Sequence, residues 1–233
     1  MESSIVSLRN EGDIAVITMD DGKANALSPA MLADLNSAFD EAEKQSKAVV
    51  LTGRPGRFSA GFDLKVMMSG PDNAQAMLMA GGELALRLYE FPLPIVMAVS
   101  GHAIAGGVLL AACGDIRIGV KGDFKLGLNE IQNGMPVPIL LHEFARDRLT
   151  AKEFVPAVLH AKMYSSDEAV EAGWLDRAVE GEQLLETVMS EAVRLSKFAG
   201  KAYHLTKQSI RQATISHIRS TMVENLAQLT GSL

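Results

Sequence analysis

Residues 94–118, PIVMAVSGHAIAGGVLLAACGDIRI, decide how this chain folds. Ile95 to Val99 is a short apolar run behind the breaker Phe91-Pro92-Leu93-Pro94, which reads as a buried strand. Ser100 to Ala105 reads as a loop, Gly106 to Cys113 as a helix of small residues, and Asp115 to Val120 as the next strand. A strand, a glycine-bearing loop, a helix and a second strand within so few residues predict an α/β unit with its loop at the end of the strand, where open sheets form ligand crevices.

The same alternation extends toward the N-terminus. Ile5 to Arg9 and Ile14 to Met19 flank the turn formers Asn10-Glu11-Gly12-Asp13 and predict a hairpin. Ser28-Pro29 then starts a helix whose apolar face is Met31, Leu32, Leu35, Phe39 and Ala42. Ala48 to Thr52 is a second buried strand, and it runs into a loop spanning Gly53 to Gly61. A helix is expected from about Asn73 to Tyr89, with Gly81-Gly82 weakening its middle.

Toward the C-terminus the pattern is mostly helical from Pro138 onward. One strand is expected at Trp174 to Val179, and amphipathic helices at Glu182 to Lys197 and Ile215 to Leu229. With no repeat or low-complexity linker, the boundary is placed near Thr150: residues 1–150 as the core and 151–233 as a helical C-terminal region. Ile215, Ile218, Met222, Leu226 and Leu229 exceed what a small helical region is expected to bury alone, which predicts a subunit interface there.

Composition narrows the function classes. The 233 residues are 48% hydrophobic and 21% charged, enough to bury a substantial core. A formal charge of −6 with scattered Lys and Arg argues against nucleic acid as a partner, since no basic face is present to displace its counterions. Cys113 is the single cysteine, so no internal disulfide forms and a reducing compartment is expected. Neither CxxC nor HxxxH occurs, and no metal site is predicted. The apolar runs are too short to span a bilayer, the N-terminal residues lack a secretory pattern, and Gly231-Ser232-Leu233 lacks the basic residue of a peroxisomal address. A cytoplasmic protein is expected. Neither GxGxxG nor GxxxxGK[ST] stands at a strand-to-helix junction, which removes the nucleotide-binding readings of the glycines.

Three segments carry the chemistry. Phe58-Ser59-Ala60-Gly61-Phe62-Asp63-Leu64 has small residues that let a ligand approach the main chain, leaving the Phe62 N–H to donate to a carbonyl oxygen. Gly101-His102-Ala103-Ile104-Ala105-Gly106-Gly107 meets a helix start, where unpaired N–H groups favour a developing anion. In Leu126-Gly127-Leu128-Asn129-Glu130, Asn129 is expected to cap a helix with the Glu130 carboxylate in its first turn. Two N–H donors on one thioester oxygen would make an oxyanion hole, each worth about 3 kcal/mol of barrier.

In that order, FSAGFDL, GHAIAGGVLLAACGDIRI and LGLNEIQNGM resemble the crotonase superfamily of enoyl-CoA hydratases and isomerases, over most of the chain. The resemblance implies an α/β fold, a spiral of ββα units with a helical C-terminal oligomerisation region, assembled as a homotrimer or a dimer of trimers. It implies an acyl-CoA thioester substrate, with coenzyme A entering as part of that substrate and no separate cofactor. It assigns the oxyanion donors to Phe62 and Gly106 and the catalytic carboxylate to Glu130. Ala24 and Ala26, in Gly22-Lys23-Ala24-Asn25-Ala26-Leu27-Ser28, match the segment along the CoA adenine, and Lys65 matches a position where a basic residue is often found. Ala60, Asp63 and Leu64 are assigned to the substrate site with the first segment.

Hydratases of that family have a second glutamate in the helix after the glycines, where this chain has Leu109, assigned here to the substrate site. The isomerases resemble this chain both in that leucine and in a Gly-Leu-Asn-Glu base segment. One carboxylate suffices to take a proton from C2 and return it at C4. The expectation is therefore isomerisation of 3-enoyl-CoA to 2-trans-enoyl-CoA through a dienolate, with burial raising the pKa of Glu130. The alternatives are enoyl-CoA hydration, another crotonase-type reaction, or a CoA-binding protein without catalysis.

Less pointed readings stand beside these. Asp63 reads first as a helix cap, Asp115 as an ion-paired loop residue and His102 as a structural histidine. Arg54 and Arg57 read equally as CoA phosphate contacts or solvated charges. Met67, Met68, Met77 and Met135 are acyl-pocket candidates, with ordinary core packing as the default, and Glu83 and Glu143 are candidate second acids, with a solvated helix charge as the default.

Overall fold

The computed structural model describes residues 4–231. Ser232 and Leu233, read above for a peroxisomal address, and the first three residues of the N-terminal pattern lie outside the described residues. The strands are β1 (Val6–Glu11), β2 (Ile14–Met19), β3 (Ala48–Thr52), β4 (Gly56–Ser59), β5 (Ile95–Val99), β6 (Gly101–Ile104), β7 (Ile116–Val120), β8 (Leu126–Gly127) and β9 (Arg177–Val179). The helices are α1 (Pro29–Gln45), α2 (Leu64–Met67), α3 (Pro71–Glu90), α4 (Gly106–Ala112), α5 (Ile139–Arg148), α6 (Ala151–Val158), α7 (Ser166–Ala172), α8 (Leu184–Ser196) and α9 (Lys201–Thr230). Pairs of strands followed by helix recur along the chain, which is the spiral of ββα units expected above.

Two sheets result. The larger has the order β1-β2-β3-β5-β7-β9, with only the β1–β2 hairpin antiparallel, and the smaller is the parallel set β4-β6-β8. Period-two side-chain alternation sorts the central strands into two layers. Ile14 and Val16, Ala48 and Val50, Val96 and Ala98, and Ile118 face Leu184, Val188, Ala192 and Leu195 of α8. The intervening Ala15, Ile17, Val49, Leu51 and Met97 face the main core under α1, α3 and α4. Ser28 caps α1 by accepting the Met31 N–H at 3.2 Å, and Pro29 occupies its first position.

Several expectations change. The loops Gly53–Gly61 and Ser100–Ala105 contain β4 and β6. Gly101 is there for close approach, since a Cβ on it would collide with the Gly56 carbonyl, and Gly56 takes a positive φ of 79°, so these strands carry the composition of a loop. Asn129 and Glu130 do not open an α-helix. Glu130 precedes a single 3₁₀ turn, Ile131–Asn133, which Gly134 (φ 72°) ends before Pro136 and Pro138. The expected strand Trp174–Val179 shortens to β9, because Trp174 and Leu175, each 2% exposed, are core anchors ahead of it.

The last helix starts at Lys201, well before Ile215, and its apolar stripe does not supply a free subunit face. Ile215, Ile218, Met222 and Leu226 are at most 3% exposed within this one chain, where α9 lies across α3. The Gly81-Gly82 pair, expected to weaken α3, lets neighbours in instead: the Phe62 ring packs on Gly81 and the Met222 thioether on Gly82. Among the described residues, no helix is long and apolar enough to cross a membrane.

Candidate active site

The small sheet gathers what the sequence separates. β4, β6 and β8 run parallel with Ser59 beside Ala103 and Ile104 beside Gly127, so all three chains leave the sheet on the same side. Past their carboxyl ends lie Ala60 and Phe62, then Ala105 and Gly106, then Asn129 and Glu130. A cleft opens there, lined in part by Ala60, Phe62, Ala105 and Glu130.

Both candidate donor amides are built into backbone that neighbours hold. Leu27 pairs with Phe62 as in a parallel strand: the Leu27 N–H donates to the Gly61 carbonyl at 2.8 Å and the Asp63 N–H to the Leu27 carbonyl at 3.4 Å. The Phe62 ring fills the space left by Gly81 and Gly106. Ala105 takes a positive φ of 53°, at a cost on the order of 1–3 kcal/mol, and its N–H is tied to the Gly127 carbonyl at 2.9 Å. Gly106 follows at the head of α4. A Cβ on Gly61 would stand 3.0 Å from the Gly106 nitrogen, the Ile104 carbonyl oxygen and the Ala105 Cβ, so the two segments pass too closely for a side chain there. Among the described residues, neither the Phe62 N–H nor the Gly106 N–H has a hydrogen-bond partner.

Glu130 is 7% exposed, and its Oε2 has no partner among the described residues. Burial pushes its carboxyl up to about 7, against the opposing pull of its own N–H and that of Asn129. No other carboxylate among the described residues lines the cleft. Leu109, 3% exposed, lies in the core from α4. Glu83 is exposed on α3, and Glu143 pairs with Arg146 at 3.3 Å.

The remaining candidates fall around this centre. Leu64 lines the cleft and is 61% exposed; Asp63 caps α2 by accepting the Lys65 N–H at 2.9 Å, leaving Lys65 on the surface. Ala24 and Ala26 flank the first segment, where the Ala60 N–H donates to the Ala24 carbonyl at 3.0 Å. Asp21 accepts the Ala26 and Asn25 N–H groups there, and the buried Asn25 side chain (φ 51°) donates to the Met19, Arg57 and Phe58 carbonyls. His102 accepts the Lys125 N–H at 3.0 Å, as a structural histidine does. Arg54 donates to the Lys23 carbonyl, whereas the Arg57 side chain donates to its neighbouring Gly56 carbonyl.

Met67 and Met135 line the cleft, and with Leu64 and Met68 they border an adjoining space, so the apolar cavity continues to the surface past α2. Met77 is instead a core residue. Sequence reasoning missed Leu78, Leu141 and Thr230 in the wall and assigned Leu229 elsewhere. The apolar periodicity that marks these residues is equally that of core packing.

The sequence pattern described as enoyl-CoA hydratase/isomerase matches residues 9–231. The chain belongs to that family. It is an enzyme of the crotonase superfamily, and its relatives are divided between isomerase and hydratase names. The human protein "Enoyl-CoA delta isomerase 1, mitochondrial" is 32% identical over 210 residues, covering 88% of this chain and 70% of that one. The "Short-chain-enoyl-CoA hydratase" of Clostridium acetobutylicum is 30% identical over 218 residues, covering 91% and 83%. Among solved structures, an enoyl-CoA hydratase/isomerase family protein of Pseudomonas syringae superposes with a TM-score of 0.94 at 37% identity, over 97% of this chain and 98% of that one. A crotonase fold therefore surrounds the Glu130 cleft.

Proposed function

We propose that this crotonase isomerises 3-enoyl-CoA thioesters to 2-trans-enoyl-CoA with Glu130 as the sole proton carrier. The observation that carries the reading is that Glu130 is the single carboxylate lining the cleft among the described residues, buried and with one oxygen unpartnered among them, while Leu109 of α4 is a core residue outside the cleft lining. Ionised Glu130 takes a proton from C2, and the electron pair moves onto the thioester oxygen. The Phe62 and Gly106 amides, free of other partners among the described residues, are the groups proposed to receive that charge. The dienolate then collapses by taking the same proton back at C4, which leaves the double bond between C2 and C3 and the composition unchanged. The apolar lining suits the acyl chain and keeps the carboxylate desolvated.

Hydration is the competing reading, supported by the hydratase among the relatives. It requires a second group to position water, and the polar side chains flanking Glu130 in the cleft are Asn129 and Asn133, neither of them an acid. The test is incubation with a 3-enoyl-CoA, following conjugation by absorbance and product mass, with a folded Glu130→Gln protein alongside. New conjugation at unchanged mass, lost in the variant, is the expected result. A product heavier by one water moves the reaction to hydration, and binding without turnover moves the protein to a non-catalytic role.

A further inference from the structure

One wall of the cleft comes from the far end of the sequence. Leu229 and Thr230, in the last turn of α9, line it beside Leu78 of α3 and Pro138 and Leu141 at the head of α5. That turn is clasped to the body of the protein. Met222 enters the notch at Gly82, its Sδ standing 2.6 Å from where a Cβ would be, with Leu140 against the same notch. Less than one turn later, Asn225 Oδ1 accepts the N–H of Ile139 at 2.9 Å. Ile139 is the first residue of α5, and the local cap position is Pro138, whose side chain has no acceptor. The cap of α5 is thus delivered from 86 positions away, by the helix that also brings Leu229 and Thr230 to the cleft.

We infer that the last turns of α9 set the acyl-chain preference: Leu229 and Thr230 form the wall that meets the acyl group, and Asn225 is the positioning residue that fixes this wall against α5. The inference rests on the acyl-CoA reading of the cleft and not on which reaction follows. An apolar wall at fixed distance converts chain length into affinity, since each methylene it covers is worth about fourfold in binding. A wall that is free to shift loses that discrimination.

The experiment is calorimetric titration with saturated acyl-CoAs from butyryl- to palmitoyl-CoA, and with free CoA, using the full chain. Leu229→Trp, which narrows the cleft, is expected to weaken the longer acyl-CoAs by about tenfold or more while butyryl-CoA and free CoA bind unchanged. Leu229→Ala is expected to shift the preference in the opposite direction. Asn225→Leu removes the acceptor and flattens the chain-length dependence; Asn225→Asp keeps an acceptor at a helix N-terminus, where negative charge is favourable, and restores it. Uniform weakening of every ligand including free CoA, equal behaviour of the two Asn225 variants, or an unchanged length profile in the Leu229 variants overturns the inference. Because binding is read without turnover, the predicted profile in a protein that fails to isomerise sinks the proposed reaction and leaves this inference standing. Failure of the unaltered protein to bind any acyl-CoA sinks both.

Discussion

At the residue scale, the carboxyl of Glu130 has two pH signatures of opposite sense. Burial lifts it from an ordinary 4.5 to about 7, and a base acts only when ionised. kcat/KM is therefore expected to rise about tenfold per pH unit up to about 7 and level off above it; a limb near 4.5 would remove the desolvated base from the mechanism. Stability runs the other way. The folded protein holds this proton more tightly than the unfolded chain, so the contribution is complete below 4.5 and is lost as pH rises toward about 7. Glu130→Gln does not titrate, and its stability advantage should grow across that window to roughly 3 kcal/mol at most. Urea melts of both proteins at the two ends of the window check it, and an equal difference at both would contradict the shift.

At the element scale, the helices matter for where they hold backbone. Alanine is the better helix former by about 1 kcal/mol, so Gly81→Ala in α3 would be mildly stabilising on propensity alone. Here the added methyl would meet the Phe62 ring, and Phe62 carries one of the proposed donor amides. Packing decides the outcome because a displacement of about an ångström in a catalytic group costs on the order of a hundredfold in rate. Gly81→Ala is expected to keep its helical circular dichroism and lose roughly ten- to a hundredfold in single-turnover rate. Full activity would show that the ring does not position the amide.

At the scale of the whole molecule, Asp115 ties the C-terminal helix to the sheet. It accepts the Ile95 N–H at 2.7 Å at the start of β5, Lys207 Nζ at 2.6 Å and the Arg211 guanidinium at 2.9 Å, both from α9. Lys207 also donates to the Phe91 and Leu93 carbonyls, and both cations are almost fully buried. Removing one partner from a buried ion cluster strands the others, at a cost of about 3–5 kcal/mol. Asp115→Ala should lose that much in urea denaturation, with hydrogen exchange accelerated first along α9. A loss below about 1 kcal/mol would mean that apolar packing against α3 holds the helix unaided.

The hairpin, the strands at 48–52 and 95–99 and the cap of α1 were legible because alternation, helical spacing and a Ser-Pro start act over a few residues. The three segments holding Phe62, Gly106 and Glu130 stood out as small residues or a carboxylate just after strands, but the roles given to Gly106 and Glu130 came from the family resemblance and not from residue type. β4, β6 and β8 were hidden because glycine required by a backbone passing a few ångströms away looks like glycine in a loop. The stripe on α9 was assigned to a partner subunit because periodicity reports that a face is buried and not what buries it; α3 of the same chain does. The cleft itself belongs to the tertiary structure alone. Desolvation of Glu130 sums over atoms from several elements, and Leu229 reaches the cleft wall on a helix that meets Asp115, Gly82 and Ile139 and packs its apolar stripe on α3.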